Sequence, residues 1–230
     1  MPWIRKSGIK GLVFVPEQYN AGDKKHECPD CFHCQMCCDI RCDECQNSVK
    51  GEEVGKCHIP LPAKLFLAIM FTEKKACDHA LKQFMKEYGA LENQFGPLNV
   101  SQFTNYYNKE MGEGINKIYI TFKNTIERHI LPELKIFTNT IESKFLNQRK
   151  RMVNMDPGYI TIDKFVLATT KDFYHRIYLK YGIYAEVTLH YRSGKYRYFS
   201  WTYPDYREAG VQSLLEQSRA LLMSKLRKSQ

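Results

Sequence analysis

Eight of the nine cysteines in this 230-residue chain fall between Cys28 and Cys57. Seven of them form the run Cys28-x2-Cys31-x2-Cys34-x2-Cys37-Cys38-x3-Cys42-x2-Cys45. Thiolates two residues apart can grip one metal ion. A segment of about 30 residues buries too little surface to fold unaided, so a bound metal would supply its folding energy. Zinc is the expected cofactor: Cys28/Cys31, Cys34/Cys37 and Cys42/Cys45 offer six thiolates, with Cys38, Cys57, His26, His33 and His58 in reserve. An iron–sulfur cluster is the alternative, because Cys28-x2-Cys31-x2-Cys34-x3-Cys38 has the spacing of a bacterial ferredoxin loop, with Asp39 where proline usually follows. Rubredoxin-like knuckles place glycine just after the second cysteine, whereas Phe32, Cys38 and Gln46 stand there. Cys77, alone amid apolar neighbours, reads as an inert core thiol.

The net charge of +9 is unevenly spread, since acidic groups outnumber basic ones between residues 21 and 57. The rest of the chain is therefore more basic than the total, which favours anionic partners, although a basic surface is also common without one. The apolar run Leu12 to Val15 is too short for a signal-peptide core, and nothing approaches the roughly 20 apolar residues of a membrane span. The expectation is a cytoplasmic protein without a membrane segment, where thiols stay reduced.

Two domains are expected: a Cys-rich metal-binding module with an N-terminal strand at Gly11 to Val15 (residues 1–57), and an α+β domain over residues 58–230. Lys64 to Phe71 is apolar almost throughout, as a strand covered on both faces would be. Glu73 to Tyr88 carries a helical stripe that stops at Gly89. Asn99 to Tyr107 reads as extended and Lys117 to Phe122 alternates like a strand. Ile130 to Asn147 reads as a helix with Pro132 in its first turn. Strands follow at Tyr159 to Thr169 and Arg176 to Leu179. Next come a hairpin, Ile183 to Tyr191 and Lys195 to Trp201, about Ser193-Gly194, and a final helix, Ala209 to Lys228. This order indicates a mixed or antiparallel sheet with packed helices, and a ferredoxin-like core is one arrangement that satisfies it.

Four motif regions stand out. They are Phe103-Thr104-Asn105-Tyr106-Tyr107-x2-Glu110-Met111-Gly112; Asn154-Met155-Asp156-Pro157-Gly158-Tyr159; Val166-Leu167-Ala168-Thr169-Thr170-Lys171-x3-His175-Arg176-Ile177-Tyr178-Leu179; and Gly182 to Leu189 with Trp201-Thr202-Tyr203-Pro204-Asp205-Tyr206. Over residues 60 to 228 the chain resembles the prokaryotic domain-of-unknown-function family numbered 4416, and the cysteine module lies outside that resemblance. The resemblance implies relatives, not an activity. The chain has neither a Gly-x4-Gly-Lys-Ser/Thr phosphate loop nor an Asn-Lys-x-Asp guanine-reading element, so any nucleotide must be held by a different constellation.

Period two puts Glu186 and His190 on one face of their strand, with Arg176 and Tyr178 sharing a face one strand earlier. Together with Lys171 and His175 they form the candidate site for an anionic or nucleotide-like ligand, with Glu186 or His190 as the acid–base group of an enzymatic version. The plainer reading is a solvated or helix-covered face with Arg176 paired to Glu186. Asp156-Pro157-Gly158 reads as a tight turn. The alternative partner is nucleic acid, through Arg149, Lys150, Arg192 and Arg197 with the aromatics Tyr191, Tyr196, Tyr198 and Phe199 as stacking platforms. A metal-stabilised interaction scaffold without catalysis is the third reading.

Overall fold

The computed structural model describes residues 57–147 and 150–228, and the backbone of residues 3–4 and 13–14. The two-residue strands β1 (Trp3–Ile4) and β2 (Val13–Phe14) pair antiparallel. The cysteine run from Cys28 to Cys45, and with it the expected metal site, lies outside the described residues, as does Arg149. Residues from Cys57 onward form a unit of their own.

That unit is built on β3 (Ala63–Phe71), every residue of which is buried. Alternation of side chains along β3 explains why: Leu65, Leu67, Ile69 and Phe71 face one apolar cluster, while Phe66 and Ala68 face another on the opposite side of the sheet. Helix α1 (Lys74–Tyr88) follows, with Ala76, Cys77, Ala80 and Phe84 buried against the first cluster. Then come β4 (Leu91–Asn99), β5 (Asn116–Ile126), α2 (Leu131–Glu142) and, after the two-residue strands β6 (Leu146–Asn147) and β7 (Lys150–Arg151), β8 (Val153–Ile160). All pairings are antiparallel, in the order β8-β3-β5-β4. A β-α-β-β-α-β path in this spatial order, with α1 and α2 on one face, is the ferredoxin-like arrangement.

The sheet is extended beyond β8 by β9 (Lys164–Thr169), β11 (Ile183–Arg192) and β10 (Arg176–Lys180), with β12 (Lys195–Tyr198) also on β11. Ser193 and Gly194, both at positive φ, close the β11–β12 hairpin at the expected residues. Helix α3 (Ala209–Lys228) covers the second face, burying Val211, Leu214, Leu215 and Leu222. The fold is α+β, as the pattern of the sequence indicates. No helix among the described residues is long and apolar enough to cross a membrane.

Four local expectations differ from the structure. Tyr159 to Thr169 is not one strand: Tyr159 and Ile160 end β8, the chain turns, and β9 begins at Lys164 and pairs back on β8. Asn99 to Tyr107 is not extended: the strand precedes it as β4, and Val100 onward turns through a 3-10 turn and the short helix Asn108–Met111. Gly96 and Pro97 sit at an irregularity in β4, which is an edge strand and tolerates a missing N–H. The second helix ends at Glu142, and Leu146–Asn147 instead begins a small ladder with Lys150–Arg151. Finally, Asp156-Pro157-Gly158 lies inside β8, paired with Ala68, Leu67 and Phe66, and is no turn.

Candidate functional site

The last of these differences creates the site. β9 pairs with β8 only through Gly158↔Leu167, Tyr159↔Val166 and Ile160↔Phe165, although β9 runs on to Thr169 beside β11. Pro157 stands where that pairing ends, and upstream of it β8 and β9 separate. Helix α2 satisfies the freed strand edge: Lys135 Nζ donates to the Met155 carbonyl at 2.7 Å, and Glu142 Oε1 accepts from the Met155 N–H at 2.9 Å. The gap opens into a cavity of about 760 Å³, whose lining includes Tyr107, Lys171 and Tyr203. Its volume is that of a small-molecule site.

Charged groups line this cavity in matched pairs. Lys117 Nζ and the Tyr119 hydroxyl both donate to Asp205 Oδ2, each at 2.6 Å. Lys135 Nζ lies 3.2 Å from Asp156 Oδ1 and 3.6 Å from Glu142 Oε1. Arg151 bridges Glu142 at 2.9 Å and Glu110 at 2.7 Å. Arg176 Nε donates to Glu186 Oε2 at 2.9 Å, while its other nitrogens reach the Lys171 carbonyl at 3.0 Å and the Tyr203 hydroxyl at 3.3 Å. Lys171 differs: its Nζ reaches the Tyr106 hydroxyl at 3.2 Å and has no carboxylate partner among the described residues.

The environments of two carboxyls that share Lys135 push them apart. Burial lifts Glu142 above the usual carboxylate range in spite of Lys135, the Met155 N–H and Arg151. Burial alone would lift Asp156 too, but the ammonium groups of Lys135 and Lys117 and a hydrogen bond from Asn154 hold it below. Asp156 is thus kept as a carboxylate, and Glu142 holds a proton more readily. This is a division of acid and base roles that a single cavity can use.

The structure brings Lys171, Arg176 and Glu186 to the cavity wall, with His175 behind them, its Nε2 3.0 Å from Glu186 Oε2 and its ring stacked on Trp201 at 4.9 Å. Tyr178 is 58% exposed and points elsewhere, against Tyr184. His190 is absent from the cavity because the β11–β9 register shifts between Val187 and Leu189. Glu186 sits opposite Leu167 and Leu189 opposite Phe165, so both lie on one face and His190 lies on the other.

The Trp201 to Tyr206 motif has a structural account. Trp201 Nε1 and Thr202 Oγ1 donate to the carbonyls of Val187 and Thr188, at 3.0 and 2.6 Å, and so fix that bulge. Tyr203 and Asp205 face the cavity, and Tyr206 fills the second core cluster. Asp156 and Asp205 belong to motifs visible in the sequence, where Asp156 reads as part of a turn. Lys117, Lys135 and Glu142 carry no local signal and become site residues only through long-range pairing.

The hairpin proposed for nucleic acid offers less stacking surface than its sequence indicates. Tyr196 is 4% exposed, Arg219 covers Tyr191 at 3.6 Å from the ring centroid, and Arg207 lies over Tyr198 at 4.5 Å. Among the described residues no group of three or more His, Cys, Asp or Glu side chains is placed to hold a metal.

The profile of the family described as a domain of unknown function (DUF4416) matches residues 61–221. Neither the curated proteins nor the solved structures give a match to this chain.

Proposed function

The chain belongs to the family described as a domain of unknown function (DUF4416), and because that membership carries no activity, we propose a function from the cavity itself: the domain binds a small anionic ligand, of nucleotide-like size, between β8 and β9. The observation that supports this reading is Lys171, the cavity-lining cation without a carboxylate partner among the described residues. Beside it the two terminal nitrogens of Arg176 contact only neutral oxygens, since Glu186 engages Nε. An anionic group at this rim gains charge-assisted hydrogen bonds from both side chains. Deeper in, Met70, Val100 and Leu167 give apolar surface for a ring, while Asp156 and Asp205 offer acceptors.

The N-terminal cysteines Cys28, Cys31, Cys34, Cys37, Cys38, Cys42 and Cys45, with Cys57, form the proposed metal-binding part, zinc first and an iron–sulfur cluster second. Cys57 is exposed and forms no disulfide with another described cysteine. Native mass spectrometry of anaerobically purified protein tests both parts. A retained anionic small molecule and a retained metal are the expected outcome; protein of bare polypeptide mass, with no mass shift on adding ATP, pyrophosphate or zinc, contradicts both.

A further inference from the structure

Among the carboxylates of the cavity wall, Asp205 is buried yet bonded at one oxygen. Asp156 accepts at Oδ1 from Lys135 at 3.2 Å and at Oδ2 from Asn154 at 2.8 Å. Glu142 accepts at Oε1 from the Met155 N–H and at Oε2 from Arg151, both at 2.9 Å. Glu186 accepts at Oε2 from Arg176 at 2.9 Å and at Oε1 from the Thr188 hydroxyl at 3.4 Å. Asp205 instead takes both its donors, Lys117 Nζ and the Tyr119 hydroxyl, on Oδ2. Its Oδ1 has no partner among the described residues and is left open to the cavity, in a residue only 8% exposed. A carboxylate oxygen so far removed from bulk water gains from any donor brought to it.

Charge decides what kind of donor fits. Lys117 already balances the Asp205 carboxylate at 2.6 Å. A second cation at Oδ1 would meet the Lys117 ammonium at short range, whereas a neutral N–H gains a charge-assisted hydrogen bond without that repulsion.

The chain also ties this acceptor to the anion rim. Tyr203, whose hydroxyl lies 3.3 Å from an Arg176 terminal nitrogen, stands two residues before Asp205, next to the 3-10 turn Pro204–Arg207. Two residues of backbone span at most about 7 Å, within the length of one nucleotide-sized molecule. The same cavity is walled by Leu98, Val100, Phe103 and Tyr107, surface suited to a flat ring.

Resting on the anion-binding reading above, we infer that Asp205 Oδ1 accepts a neutral N–H from the ligand's ring. The ligand class is then a nucleotide whose base bears an amino group, with its phosphates at Lys171 and Arg176. A nucleotide without that amino group leaves Oδ1 unpaired and binds less tightly.

Calorimetric titration into the intact chain tests this with pairs that differ by one amino group: ATP against purine riboside triphosphate, GTP against ITP, and CTP against its pyrimidin-2-one counterpart. One pair should separate by about 10- to 100-fold, the size of a hydrogen bond to a charged group. In the double variant Asp205→Asn with Lys117→Met, the Tyr119 hydroxyl holds the amide oxygen, the amide nitrogen turns its N–H groups to the ligand, and the preference disappears. A ratio read within one protein is insensitive to any general loosening of the variant. Pyrophosphate, titrated in parallel, separates the inference from the reading beneath it. Pyrophosphate binding with no pair separated overturns the inference and leaves the anion site standing. A pair separated equally in wild type and double variant overturns Asp205 as the acceptor. No binding of pyrophosphate or of any nucleotide overturns both.

Discussion

Glu186 and His190 lie on the same strand but on opposite faces of the sheet, because the β11 register slips between Val187 and Leu189. The carbonyls at the slip are held by Trp201 and Thr202. Glu186 is thereby committed to the cavity, where its Oε2 accepts from Arg176 at 2.9 Å and lies 3.0 Å from His175 Nε2.

Replacing Glu186 by Gln leaves the Arg176 charge buried without its counter-ion, and unfolding free energy falls by about 3 kcal/mol. His190→Ala removes a ring packed on Phe199 at 4.9 Å, outside the cavity, at a cost of about 1 kcal/mol. Urea unfolding separates the two. Pyrophosphate affinity should change in the Glu186 variant and stay constant in the His190 variant; a loss of affinity in His190→Ala would place that side chain in the site after all.

Asp205→Asn strips the buried Lys117 ammonium of its anion and the Tyr119 hydroxyl of a charged acceptor. The expected destabilisation is about 3 kcal/mol, seen as a lower denaturation midpoint at unchanged slope. The double variant Asp205→Asn with Lys117→Met restores much of it, since no buried charge is then left alone. A double variant no better than the single one contradicts the pairing.

Stability should fall in two separate windows as pH is lowered. Burial, aided by Arg192 and Arg197, holds His190 below its ordinary value. Its unfolded form binds protons first, and stability is lost as pH drops below about 6.5. Asp156, held below the usual carboxylate range, contributes stability that is present above about pH 4 and is lost as pH falls through its folded value. His190→Phe flattens the upper window and Asp156→Asn the lower one in denaturation curves taken between pH 3 and 8. Identical profiles in wild type and both variants would contradict these assignments.

Gly158→Ala would be severe. An added Cβ meets the Val166 carbonyl oxygen at 2.4 Å and a Leu167 methyl at 2.9 Å, at the point where β8 and β9 make their last contact before the cavity. A loss of several kcal/mol, or insoluble protein, is expected, and a stable, soluble variant would show that the strands can part further.

The same segment shows where the sequence stops being informative. α1 and α3 are legible because each sorts apolar from polar residues at the helical period, β3 because its nearly unbroken apolar run has the length of a strand buried on both faces, and the β11–β12 turn is legible from Ser193-Gly194. Asp156-Pro157-Gly158 has the composition of a turn, yet long-range pairing with β3 overrides local preference. The face of His190 is hidden from the sequence for a related reason: a bulge moves every later side chain to the other side and leaves no composition signal. Within the site, the Arg176–Glu186 pair followed from strand alternation. Lys135 and Glu142 did not, because their role is to satisfy a strand edge that becomes open only once the sheet has formed.

Cysteine reactivity distinguishes the buried thiol from the rest. Cys77 is fully buried and its thiol is pushed up to about 12, chiefly by that burial. In folded protein stripped of metal by a chelator it should resist a disulfide exchange reagent that modifies Cys57, and become reactive only on unfolding. Equal rates at both positions would contradict the packing of α1.

The central claim, an anionic ligand held at the Lys171–Arg176 rim, is tested most directly by calorimetric titration of ATP and pyrophosphate into wild-type protein, Lys171→Ala and Arg176→Ala. Each variant should lose roughly 10- to 100-fold in affinity, the size of a lost charge-assisted hydrogen bond. Ligand binding that is unchanged in both variants, or no binding of either ligand to the wild type, would contradict it.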